Sequence, residues 1–206
     1  MSTRLLAAQH GGALILTLES EDGYPRLGRH LLAALDNEIA RVARSSNIVG
    51  AVITGSGHAF AAGADISEIA ELTPADAFEF SRLGQELFRA VERSQKPVVA
   101  AIRGYCMGGG LDLALACHER IAAPDAVFAH PGGALGILTG WGGTQRLPRL
   151  IGRASAAEIL LTGRRVDAQE AFECGLVTHI VSHDELLAEA ANRVREKARL
   201  PHTKLA

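Results

Sequence analysis

Pro97-Val-Val-Ala-Ala-Ile102, then Gly104, then Gly108-Gly-Gly-Leu-Asp112 is the stretch that sets the architecture. A short apolar run bounded by proline and glycine reads as a buried strand. The glycines that follow mark a sharp turn, and Leu111 to Cys117 returns to helical spacing. Strand, glycine turn and helix in this order are the elements of an α/β fold. Glycines between a buried strand and a helix leave backbone N–H groups facing open space, where the helix dipole adds partial positive charge. A carbonyl oxygen or developing oxyanion suits that point. The competing explanation is a tight turn that lets helix and sheet pack closely. The order of the glycines does not supply the G-x-G-x-x-G of a dinucleotide site.

Working outward, Gly11-Gly12 separates two β-patterned segments, predicting a hairpin over residues 4–20. Leu31, Leu32, Leu35, Ile39 and Val42 fall at helical spacing, and Val49 to Thr54 is a short β-rich run. Thr73-Pro74 is a good helix start, predicting a helix over 74–94. Beyond the glycine triplet, residues 119–123 read as a strand and 125–143 as a glycine-rich loop. Residues 153–161 and 167–173 read as helices, 177–181 as a last strand and 184–199 as a last helix. No linker divides the chain, so one core domain over 1–200 with a tail over 201–206 is expected.

The chain has 206 residues, 48 % hydrophobic and 21 % charged, enough to close an apolar core. Its formal net charge of −2 and its three lysines, Lys96, Lys197 and Lys204, give no electrostatic footprint for nucleic acid. Cys106, Cys117 and Cys174 make neither a disulfide framework nor a zinc pattern, which fits a reducing cytoplasm. Neither an export segment nor a membrane span is visible. The histidines lack convergent spacing, so no metal site is expected. No serine stands in a nucleophile elbow. Trp141, between glycines, reads as a packing residue or a cover over substrate.

Four motifs occur in sequence: Phe60-Ala-Ala-Gly-Ala-Asp-Ile66, Lys96-Pro-Val-Val-Ala-Ala101, Gly104-Tyr-Cys-Met-Gly-Gly-Gly110 and Gly142-Gly-Thr-Gln-Arg-Leu147. Together with Leu161-Thr-Gly-Arg164 and Ala171-Phe-Glu-Cys-Gly-Leu-Val177, they resemble the crotonase superfamily, the enoyl-CoA hydratase/isomerase family, over nearly the whole chain. The resemblance implies a spiral of ββα units in two nearly perpendicular sheets, assembled as a homotrimer or a pair of trimers. It implies an acyl-CoA or enoyl-CoA substrate, with coenzyme A entering as part of that substrate and no separate cofactor. The thioester oxygen would be held by the backbone N–H groups of Ala64 and Gly109, the oxyanion hole of the family. Ala62, Asp65, Ile66 and Gly108 would line the CoA and substrate path, and Arg26 would meet a CoA phosphate. The alternative for Arg26 is a solvated loop arginine, and for Asp65 a helix cap. Such members usually continue through further helices, so the end at Ala206 implies a shortened C-terminal helical region and apolar surface for another subunit to cover.

Hydratases of this family use two glutamates. By motif position the first is Asp112 here, one methylene shorter, and the second is replaced by Gly132 in Phe128-Ala-His-Pro-Gly132. One carboxylate can shuttle a proton or activate water, whereas two hold the water between them. Between Pro131 and Arg146 there is no further Asp or Glu, leaving Thr139, Gln145 and the neighbouring His130 as polar candidates. His130 can act as a base at neutral pH, and its apolar flanks equally fit a structural role. Asp112 has a second reading as a first-turn carboxylate complementing the helix dipole. The expectation is therefore an enoyl-CoA hydratase/isomerase-type enzyme, with a single-carboxylate isomerase or hydrolase as the alternative. A non-catalytic acyl-CoA-binding or oligomer-forming relative is the third reading.

Overall fold

The computed structural model describes residues 3–200; the expected tail at 201–206 lies outside them. Strands β1 (Thr3–His10) and β2 (Ala13–Ser20) form the expected antiparallel hairpin. Its turn is made by Gly11 and Gly12, both at positive φ, where a side chain would be strained. Helix α1 (Arg29–Arg44) buries the predicted stripe of Leu31, Leu32, Leu35, Ile39 and Val42.

Then follow β3 (Gly50–Gly55), β4 (Ala59–Ala61), α2 (Ile66–Ala70) and α3 (Pro74–Glu92). The Thr73 hydroxyl accepts the Asp76 N–H at 3.2 Å and Pro74 occupies the first turn of α3, so that helix starts where its sequence says. Next come β5 (Val98–Ile102), β6 (Tyr105–Met107), α4 (Gly109–Ala116), β7 (Glu119–Ala122) and β8 (Val127–Ala129). A 3-10 turn over Pro131–Leu135 leads to α5 (Gly143–Ile151), α6 (Arg153–Thr162), β9 (Val166–Asp167) and α7 (Ala168–Glu173). The described chain closes with β10 (His179–Ile180) and α8 (His183–Lys197).

The strands alternate between two sheets. A six-stranded sheet has the order β1-β2-β3-β5-β7-β10, and a four-stranded sheet has the order β4-β6-β8-β9. Each successive pair, β3 then β4, β5 then β6, β7 then β8, puts one strand in each sheet before the chain turns into helical structure. This is the expected spiral of ββα units. All neighbours pair in parallel except β1 with β2 and β8 with β9. Strands β3, β5 and β7 are buried along their whole length, as parallel strands covered on both faces must be. On β3, Ala51 and Ile53 join the main core with α1, α3 and α4, while Val52 faces Leu186, Ala190 and Val194 of α8.

Four sequence expectations are corrected. Residues 125–143 are not simply loop, because β8 and a 3-10 turn lie within them; a three-residue strand is too short to show an alternating pattern. The same shortness hides β4, β6 and β9. Helix α5 was not expected, since it opens on Gly143 without a side-chain cap and contains Pro148. The strand expected over 177–181 contracts to His179–Ile180. No helix of the described residues is long and apolar enough to cross a membrane.

Candidate active site

The loop after β4 and the start of α4 face each other. Leu27 and Ala64 form an isolated parallel bridge in which Leu27 N–H donates to the Gly63 carbonyl at 2.8 Å and Asp65 N–H donates to the Leu27 carbonyl at 3.4 Å. A parallel bridge uses the groups flanking the central residue, so it leaves the N–H of Ala64 itself unspent. Gly109 is the first residue of α4, whose N–H has no intrahelical partner. The neighbouring Gly108 reaches its required turn at φ +50°. The two free donors lie side by side, since a Cβ built on Gly109 would come within 3.3 Å of Ala64 N. Two adjacent amides without a backbone partner are donors that one oxygen atom could accept together.

The close-packing reason for the glycine triplet is met in the structure. A Cβ on Gly110 would lie 2.5 Å from the Ala61 carbonyl oxygen, so close helix–strand packing requires that glycine. A Cβ on Gly109 would strike Trp141 at 2.5 Å. Trp141 is only 5 % exposed, stands edge-on to Phe80 and Phe88, and donates its indole N–H to the Phe80 carbonyl at 3.3 Å. It is wedged between Gly109 and Gly84 of α3, whose built Cβ would lie 2.3 Å from the indole nitrogen. Trp141 is therefore a packing residue that also walls the site.

The donors open into an apolar cavity of about 440 Å³. Ile66, Ile69, Leu72, Phe80, Leu138 and Leu160 are among its walls, and Asp112 and His130 are its buried ionisable groups. Ala62, Ala64, Ile66, Gly108, Gly109 and Asp112, all singled out from the sequence, line this one space. Asp65 and Arg26 do not line it. The Asp65 side chain caps α2 by accepting the N–H groups of Ser67 and Glu68, the alternative expected of it. Arg26 is paired with Asp22 at 2.9 Å and is about one-third exposed.

Asp112 is fully buried on the first turn of α4, and its carboxylate does not cap that helix. It instead accepts the Thr139 hydroxyl and faces the backbone N–H groups of Trp141 and Gly143 at the start of α5. Burial pushes its pKa up to about 6, against the restraining pull of these donors and of Arg146. A carboxylate poised there is ionised at neutral pH yet able to hold a proton, as proton transfer requires. Gly143 makes room for it, because a Cβ there would sit 2.1 Å from Asp112 Oδ1.

His130, which the sequence left between two readings, places Nε2 3.4 Å from Asp112 Oδ1. Burial lowers its pKa to about 4, so the ring is neutral near pH 7. No hydrogen bond satisfies either Asp112 Oδ1 or His130 Nε2 among the described residues. Sequence reasoning named His130 but had no signal for this meeting, which depends on how β8 and α4 are juxtaposed.

At Gly132, where the second carboxylate was expected by motif position, the backbone leaves no space for a side chain. Gly132 accepts the Ile137 N–H at 2.9 Å, and a Cβ on Gly132 would lie 2.4 Å from the Ile137 carbonyl oxygen. Gly132→Glu is therefore expected to cost about 1–3 kcal/mol of stability through overpacking, with no gain in rate. A thermal melt and a rate assay on the variant check this; a stable, faster protein would contradict it.

Other chemistries find no support in the described residues. No group of three His, Cys, Asp or Glu side chains is placed to hold a metal ion. Cys106 and Cys117 are buried thiols, and burial pushes Cys117 up to about 12, too high for a thiolate nucleophile at neutral pH.

The model of the family described as "Enoyl-CoA hydratase/isomerase" matches residues 24–206. The chain is 48 % identical over 153 residues to a crotonyl-CoA hydratase of Syntrophomonas wolfei, a match spanning 72 % of this chain and 59 % of that protein. It is 35 % identical over 198 residues to a short-chain-enoyl-CoA hydratase of Clostridium acetobutylicum, spanning 94 % of this chain and 76 % of the other. Among solved structures, an enoyl-CoA hydratase from Bacillus anthracis superposes with a TM-score of 0.90 at 35 % identity, over 96 % of this chain and 78 % of that one. DspI of Pseudomonas aeruginosa does so at 0.91 and 36 %, over 98 % and 77 %. The motif resemblance, the two-sheet spiral and the paired backbone donors thus have one common explanation, that this chain belongs to the enoyl-CoA hydratase/isomerase family.

Proposed function

We propose that the protein adds water across the conjugated double bond of a short enoyl-CoA thioester. The observation that carries this reading is the placement of two unspent N–H groups, Ala64 and Gly109, in one apolar cavity with the buried carboxylate of Asp112. The thioester oxygen is held by the two amides, and negative charge that builds on it as the enolate forms is stabilised there. Asp112 takes a proton from water and returns it to the α-carbon. Ala62, Ile66 and Gly108 bind the substrate along the cavity wall. The Leu27–Ala64 bridge carries Arg26 alongside the same loop, and this reading assigns a CoA phosphate to Arg26, with Asp65 fixing the loop by its cap.

In this reading the protein works in the cytoplasm on fatty acyl-CoA substrates, needs no cofactor besides the CoA of its substrate and does not act on nucleic acid. The exposed apolar side chains of Phe78, Leu138 and Leu161 support assembly as a homotrimer or pair of trimers. Gly132 favours a second reading, double-bond isomerisation, in which Asp112 alone moves a proton between the carbons flanking C3.

Crotonyl-CoA separates the two. Loss of its conjugated-thioester absorbance with formation of 3-hydroxybutyryl-CoA is expected. No loss, together with conversion of a 3-enoyl-CoA into the conjugated isomer, would install isomerisation in its place. Tight CoA binding with no thioester altered would leave only a binding role.

A further inference from the structure

The hydratase reading leaves one question, how a single carboxylate can fix the attacking water. Buried polar atoms nearly always have a partner. Asp112 Oδ1 and His130 Nε2 have none, and the two residues that carry these buried atoms line the cavity into which the amides of Ala64 and Gly109 open. They lie 3.4 Å apart, and the two side chains are 0 % and 5 % exposed. No hydrogen bond joins them, so neither atom satisfies the other. Asp112 Oδ2 is already taken by the Thr139 hydroxyl, which leaves Oδ1 as the oxygen available to a ligand. Two unpartnered buried acceptors beside one cavity are the kind of pair that a molecule with two hydrogens to give would satisfy.

We propose that His130 occupies the role of the missing second carboxylate, its Nε2 and Asp112 Oδ1 together accepting the two hydrogens of the nucleophilic water. This rests on the hydratase reading. The Nε2 lone pair is available in the neutral ring that carries its proton on Nδ1, the charge state that burial favours. With both hydrogens held, an oxygen lone pair points at C3 of the enoyl group.

In the forward step the water oxygen bonds to C3, and the C2–C3 π electrons move into the enolate, whose oxygen rests on Ala64 and Gly109. One water proton passes to Asp112 Oδ1. The enolate then takes that proton at C2, so the carboxylate is regenerated and one water has been added, with no other reactant. His130 stays neutral throughout. It orients the water and is not itself a proton store. The steric block at Gly132 and the histidine two residues earlier thus become parts of one solution.

The test compares wild type, His130→Ala and His130→Gln in two assays, crotonyl-CoA hydration and exchange of the C2 protons of butyryl-CoA with deuterated solvent. Exchange needs Asp112 and the oxyanion hole but no nucleophilic water. The alanine variant is expected to lose about 100-fold in kcat for hydration while KM and the exchange rate stay within about threefold of wild type. Glutamine, which offers an acceptor oxygen at similar reach, is expected to recover hydration to within about tenfold of wild type. Retained exchange in each variant also reports that its site is folded.

Hydration unchanged in both variants would overturn the inference and leave the hydratase reading standing. Exchange lost in parallel with hydration would overturn it too, by showing that His130 supports Asp112 and not the water. A wild type that exchanges C2 protons without hydrating crotonyl-CoA would overturn the hydratase reading and this inference with it.

Discussion

Asp112→Asn is expected to lower kcat for crotonyl-CoA hydration by about 10²–10⁴-fold, the usual range for loss of a general acid–base group. Asparagine keeps the volume and one acceptor oxygen for Thr139, but it cannot take a proton. The loss should therefore fall on kcat with little change in KM. Wild-type kcat/KM should fall on the acid side along a limb centred near pH 6, where burial places the Asp112 carboxyl. A variant within about tenfold of wild type would remove Asp112 from the chemistry. The hydration mechanism proposed above would then lose its proton carrier and fall.

The second large effect concerns stability. Asp112 has its pKa raised from 3.8 to about 6 in the folded state, so the fold binds its proton more tightly than the unfolded chain does. Its stabilising share is present below pH 4 and is lost as pH rises towards 6 and beyond. His130 has its pKa lowered from 6.5 to about 4, so here the unfolded chain binds the proton more tightly. Its share is present above pH 6.5 and is lost as pH falls towards 4. Each slope integrates to about 3 kcal/mol at 1.36 kcal/mol per pKa unit. Across one pH window the two run in opposite directions and largely cancel.

Wild-type stability should accordingly be nearly flat between pH 4 and 6.5 as far as this pair is concerned. Asp112→Asn should uncover the histidine slope and lose about 3 kcal/mol, relative to wild type, on acidification through that window. His130→Gln should uncover the opposite slope and weaken as pH rises. Denaturant unfolding at several pH values gives the comparison directly. Parallel pH profiles for wild type and both variants would show that neither burial shift is real.

Much of this was legible in the chain because it depends on local pattern. The stripe of α1, the Thr73 cap of α3 and the buried runs of β3 and β5 are short-range features, and all appear where the residues place them. The glycine triplet was readable as a donor point from its own pattern, and the loop around Ala64 joined it only through the family resemblance. What could not be read were features created by encounter. Strands β4 and β6 exist because each pairs with a neighbour in the smaller sheet; three residues carry no periodicity of their own. Helix α5 is held by packing against α4 and α6 despite an uncapped glycine start and an internal proline. Gly132 could be read as an absent glutamate, but only the Ile137 carbonyl shows why a side chain does not fit there. The meeting of His130 with Asp112, eighteen positions apart, was equally invisible.

Trp141 is the only tryptophan in the chain. Its indole lies between Gly84 and Gly109 and forms part of the cavity wall, next to one of the two amides proposed to receive the thioester oxygen. The protein thus carries a native fluorophore in the wall of the candidate site, with no second indole to dilute its signal. Emission from the unlabelled protein is a local optical record of that wall, so filling of the cavity and loosening of the Gly84–Gly109 slot can both be followed by light alone.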